Sequence, residues 1–226
     1  MLKSLILGAA FSLSMGVSAT AAIVDFSSSG GSDLSDGDIL TAFDFGDGLT
    51  GSVSATGGTG DAVILDTDGS SGGTGIINDP DLMSPFTNVA DPTDMRSFGN
   101  ALIVQETGSS FPDDERRGGS ITFTFETAVT ISSITFLDGE EGSFASLFVG
   151  GDQIGALAVS GDNGFSVVEY GDLLSGITSF TVTFNGSGAI GEFEASVVPL
   201  PASVLLLGAG LGGLGLMRRR RKATAS

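Results

Sequence analysis

Along the middle of the chain, apolar and polar residues alternate one for one. Ile121, Phe123 and Phe125 are separated by Thr122 and Thr124, and Phe180, Val182 and Phe184 by Thr181 and Thr183. Successive side chains of a strand point to opposite faces, so each run predicts a strand with one face in a core and one in water. Val129 and Ile131 share one parity, while Ile134 and Phe136 take the other. The slip at Ser132-Ser133 predicts a β-bulge, or a strand that passes from one sheet to another. Shorter strands are expected at 39–45, 62–65, 101–105, 144–149, 165–168 and 191–197. Turn-forming clusters such as Asp47-Gly48, Gly57-Gly58-Thr59-Gly60 and Asn185-Gly186-Ser187-Gly188 separate them.

No run of helical period stands outside the two ends of the chain. Many short strands with Gly-rich turns predict an all-β body, an antiparallel β-sandwich of the jelly-roll kind. A β-solenoid would need a repeat, and the only one is a pair of Gly-Gly-Thr-Gly tetrads at Gly57 and Gly72. Residues 79–97 are rich in Pro and Asp and lack alternation. They read as a long loop across the end of the domain.

The ends have a different pattern. Met1-Leu2-Lys3 is a short basic start, residues 5–17 are apolar, and Ala19-Thr20-Ala21 is a small-residue cleavage site. Residues 1–21 therefore read as a secretory signal helix, cut after Ala21. The other end opens with Val198-Pro199-Leu200-Pro201-Ala202 and continues as an apolar, Gly-rich helix over 203–217. It closes on Arg218, Arg219, Arg220, Arg221 and Lys222. Counted from Val197, the apolar stretch is about 21 residues, barely a bilayer span. The basic end is expected in the cytoplasm and the body on the opposite side of the inner membrane. The chain thus divides into a signal (1–21), a body (22–197) and a tail (198–226).

Charge sharpens the picture. All 27 Asp and Glu lie between Asp25 and Glu194, opposed there by Arg96, Arg116 and Arg117 alone, a formal balance of −24. Such a body repels nucleic acid and attracts divalent cations. Sixteen Phe among many Val, Ile and Leu nevertheless supply a core. The chain has no Cys, so an exported body relies on that core or on bound ions instead of disulfides.

The tail resembles the PEP-CTERM sorting domains of Gram-negative surface proteins, in their VPLPA variety. Three features carry the likeness: the Val198–Ala202 pentad, the Gly-rich apolar helix and the Arg-rich end. The resemblance implies recognition by an exosortase, cleavage near the pentad, and release or transfer of the body to the cell surface or an exopolysaccharide matrix. The body is similar to the jelly-roll or galactose-binding-like domains that often precede such tails. Residues 118–125 leading to Phe136-Leu137-Asp138, and 189–194, carry that likeness. Gly191-Glu192 stands where that family usually has Asp-Asn.

Candidate chemistry is limited by composition. Without His, Cys or a body lysine, triads, thiol nucleophiles, His-based zinc sites and Schiff bases are excluded. Only carboxylates remain for acid–base work, and a glycoside hydrolase would draw its pair from Asp113-Asp114-Glu115 and Asp138-Gly139-Glu140-Glu141. The preferred expectation is no enzyme but a surface or matrix protein that holds Ca²⁺, which takes six to eight oxygens, often from loops. Asp66, Asp68, Asp79 and Asp81, with Asp138 or Glu192 from other loops, are the expected ligands. Ca²⁺ could then bridge to acidic exopolysaccharide. A carbohydrate-binding module is the alternative. It is weakened by the absence of Trp and by a single tyrosine, Tyr170. Arg116-Arg117 is expected to be a solvated turn.

Overall fold

The computed structural model describes residues 21–69, 82–139, 144–158 and 161–199. Ala19, Asp79, Asp81, Glu140, Glu141, the tail from Leu200 and its basic end, Arg218 to Lys222, lie outside them. Thr20–Val198 forms one compact unit. Among the described residues no helix is long and apolar enough to cross a membrane. The unit is all-β: the described residues hold fifteen strands, and a 3-10 turn at Gly171–Leu174.

The alternating run at 121–136 becomes one long strand, β10 (Gly119–Gly139), and β10 organises everything else. Its first half lies between β5 (Thr50–Thr56) and β14 (Ser175–Phe184). Beyond them come β4 (Ala42–Asp44) on one side, and β11 (Phe144–Val149) and β12 (Asp152–Ala158) on the other. Its second half lies between β15 (Ala189–Val197) and β13 (Gly161–Glu169). β15 continues to β9 (Asn100–Val104) and β6 (Ala62–Asp66), and β1 (Ala22–Val24) also pairs with it. A separate hairpin joins β2 (Ser28–Ser29) to β3 (Ser32–Asp33).

The expected slip at Ser132-Ser133 is a register shift against β15 between Ile131 and Ser133. A second shift, between Thr124 and Val129, lies where β10 passes from β5 to β15 on one side, while on the other it stays with β14 to Thr130 before β13 takes over at Ser133. The strand therefore both bulges and changes neighbours. Expected and observed strands coincide at 144–149 and nearly so at 62–66, 100–104 and 189–197. Residues 39–45 hold a strand only at Ala42–Asp44, preceded by an isolated bridge from Ile39 to Val63.

The strands grouped about the first half of β10 form one limb and those about its second half the other, and the two limbs share one core. Phe193 on β15 meets the rings of Phe123 at 5.2 Å and Phe180 at 5.8 Å, both from the first limb, and Phe26 packs against Phe123 and Phe193. Each fully buried Phe contributes about 1.5–3 kcal/mol, so this aromatic knot replaces the missing disulfides as the main staple.

A second core lies on the outer side of the second limb. Val63, Leu65, Ala101, Ile103, Leu137 and Phe165 meet Leu82, Phe86 and Phe98 there. Leu82 and Phe86 come from the region read as a plain loop, and Phe98 directly follows it, which corrects that reading. Residues 86–96 hold β7 (Phe86–Asn88) and β8 (Met95–Arg96), and β7 pairs parallel with β13. The expectation of a wholly antiparallel body fails at that pair. The cause is apolar anchoring at 82, 86 and 98, a spacing that follows no strand period.

Candidate functional site

Four segments bring polar groups to one end of the second limb. After β9 the chain turns back on itself: Gln105 bridges Asp114, Glu106 N–H donates to the Asp113 carbonyl, and Glu115 N–H to the Val104 carbonyl. That excursion buries Asp114, which is 4% exposed. At the end of β10, Asp138 is 2% exposed and takes a left-handed φ of 44°. The turn between β14 and β15 supplies Ser187 and Gly188, and the start of β13 supplies Asn163.

The Ser187 hydroxyl donates to Asp114 Oδ2 at 2.6 Å and lies 3.4 Å from Asp138 Oδ2. Gly188 N–H donates to the same Asp114 oxygen, and Asn163 N–H donates to Asp138 Oδ1 at 3.0 Å. Position 188 requires glycine. Its φ is +153°, and a Cβ would come within 2.8 Å of the Phe184 ring and 3.2 Å of the Asp138 carbonyl. Asn163 Oδ1 is buried without a hydrogen-bond partner among the described residues.

Two buried carboxylates therefore surround one hydroxyl. Ser187, Gly188 and Asn163 satisfy oxygens without cancelling charge. Of the body's arginines, Arg96 meets Asp94 at 2.9 Å and Arg116 meets Glu106 at 3.4 Å, and Arg117 is exposed.

The expected cation ligands fall differently. Asp66 is buried at the end of β6, where its N–H donates to Asp36 Oδ1 and its Oδ1 accepts from Asp68 N–H, both at 3.0 Å. Asp68 is exposed. Glu192 lies on the outer side of β15, opposite Thr135, whose hydroxyl is 3.5 Å from its Oε1. Burial raises the Glu192 carboxyl above its ordinary value, against the lowering pull of Thr135 and Arg96. Asp66 is level with Asn100, whereas Asp138 lies at the far end of the ladder, next to Gly188. Among the described residues no three acids gather as a metal site would need.

The two carboxylate runs named for hydrolysis do meet, through Asp114 and Asp138, but in a buried position. Tyr170, whose exposure would have favoured sugar stacking, is 6% exposed in the main core, and burial pushes its hydroxyl pKa up. Ser187 and Asn163 were not singled out from sequence, since Ser187 reads as a turn residue and Asn163 lies among Gly and Asp. An open depression of about 190 Å³ lies beside Gln105, lined by Ile39, Asp61 and Phe111. No protein-family model and no curated protein matches the chain.

Proposed function

We propose that this is an exported, non-enzymatic surface or matrix protein of the PEP-CTERM kind, held at the inner membrane by its tail until an exosortase cuts near Val198–Ala202. The observation that carries the reading is the C-terminal order of pentad, Gly-rich apolar stretch and five basic residues. The body fits it. Ala22, the first residue after the expected signal cut, pairs with Ala195, three residues before the pentad. The folded unit thus begins and ends side by side, at the two points where processing is expected. A shared core between two limbs linked by β10 supports the finer fold reading, a jelly-roll or galactose-binding-like sandwich. The burial of Asp114 and Asp138 favours a structural role over a hydrolytic one, because a glycosidase needs its acids on either side of an accessible bond.

Mass spectrometry of the mature protein tests the sorting step. A C-terminus within Pro201–Ser203 is expected, and an intact Arg-rich end on the mature protein would overturn it.

A second reading is favoured by the buried carboxylate pair: a structural Ca²⁺ at Asp114 and Asp138, completed by neutral oxygens and water. It moves the expected site away from Asp66 and Glu192. Ca²⁺ should raise the melting temperature of the full chain, and Asp138→Asn should remove that increment. An increment that survives the substitution would place the ion elsewhere.

A further inference from the structure

The outward face of the first limb differs from the rest of this surface. In register across β5, β10 and β14 run Ser54–Thr122–Thr181, flanked by Thr56–Ser120–Thr183 and Ser52–Thr124–Ser179. The residues between them, such as Val53, Phe123 and Phe180, point into the core, so all nine hydroxyls share the other side. Neighbours lie about 4.8 Å apart across the strands and roughly 6.8 Å apart along them. None of these positions carries a charge, within a body whose balance is −24. The first acids on this side are Glu126, one step beyond Thr124, where it accepts from the Thr50 hydroxyl at 2.9 Å, and Asp44 of β4, opposite Thr50.

The hydroxyls are ordered. Ser120 pairs with Thr183, and Thr122 with Thr181, each at 2.8 Å. Two hydroxyls bonded to each other use one proton, which leaves the second proton and several lone pairs facing outward. The middle row ends on Phe148 of β11, opposite Thr181. That ring is half-buried and belongs to neither core. It provides the flat apolar surface that the sequence did not promise.

We propose that this face binds an uncharged polysaccharide chain laid flat across the strands, with sugar hydroxyls meeting the Ser/Thr rows and a ring face on Phe148. A neutral glycan matches the neutral, donor-and-acceptor surface. An acidic one would meet the repulsion of the surrounding carboxylates. The inference does not rest on the sorting tail.

Affinity electrophoresis of the full chain tests it, in a zwitterionic detergent without a sugar headgroup and without divalent ions. Hydroxyethylcellulose should retard the protein, and alginate should not. The double change Thr122→Val with Thr181→Val keeps β-branched shape and should weaken retardation about fivefold, the loss of roughly one net hydrogen bond. Phe148→Ser, at the end of the row, gives a second variant should the first not fold. Failure of hydroxyethylcellulose to retard the parent would overturn the proposal. So would equal retardation of parent and both variants, or preference for alginate. A dimer in sedimentation that the valine pair dissolves would assign the face to a second copy instead. Each of these leaves the C-terminal mass, and hence the sorting reading, unaffected.

Discussion

In the first half of β10, Ile121, Phe123 and Phe125 are buried while Thr122 is half-exposed and Thr124 exposed; in the second half Ile134, Thr135, Phe136 and Leu137 are all buried. One strand thus meets water on one side and then on neither. Strict alternation reports burial of a single face, and it ends where a second layer covers the other. Here the cover is the region around Leu82, Phe86 and Phe98. The uncovered half keeps an ordered hydroxyl surface, whereas the covered half exchanges it for a second core and a partly buried acid, Glu192.

The sharpest way to break this comparison is to remove the residue that ties the limbs together. Phe123 contacts the rings of Phe26, Phe43, Phe180 and Phe193. Phe123→Ala should cost about 3–5 kcal/mol, enough to threaten the whole unit. Urea denaturation should show one transition at a much lower midpoint. A small shift would mean the limbs are held together by something other than the aromatic knot.

Leu137→Ala acts on the covered half alone. It empties space in the second core and should cost about 2–4 kcal/mol. Its signature differs from that of Phe123→Ala. Protease cleavage around Leu82–Phe98 should rise under conditions where the rest of the fold still resists, because the cover is held mainly by these apolar contacts. Uniform protection up to global unfolding would show the cover and the limb to be one cooperative unit.

The same contrast explains what could be read without coordinates. The parity slip at Ser132-Ser133 was legible because it interrupts a clean period on a long strand. β5, with Thr50-Gly51-Ser52-Val53-Ser54, gives no strand signal, because Val53 is its only large apolar side chain and outward-facing hydroxyls look like loop. The cover was misread because its anchors follow no period. At the candidate site, the carboxylate runs containing Asp114 and Asp138 stood out as acids. Their meeting did not, since Ser187 is 73 and 49 residues from them and Asn163 is 25 residues from Asp138. Such convergence is decided by which strands pair, and local pattern carries no record of it.

The smallest expected effect separates burial from ion pairing on the covered side. Two acids there face the same guanidinium with opposite outcomes. Hydrogen bonds from Arg96 and Asn88 hold Asp94 below its ordinary value, whereas burial holds Glu192 above its own despite Arg96. A carboxyl with a raised folded-state pKa binds its proton more tightly in the native than in the unfolded chain. Its contribution therefore becomes less favourable as pH rises from the ordinary glutamate value through the raised one, and the deficit persists at pH 7. Glu192→Gln should remove that deficit. It should stabilise at pH 7 by well under ~1 kcal/mol, since the group is half solvated, and the advantage should vanish at pH values below the ordinary glutamate pKa, where both side chains are neutral. Melting curves of parent and variant at pH 7 and pH 3.5 decide it. Destabilisation at pH 7 would show that attraction to Arg96 outweighs burial, so that this side of the second limb is an ion-pair surface and not the edge of a second core.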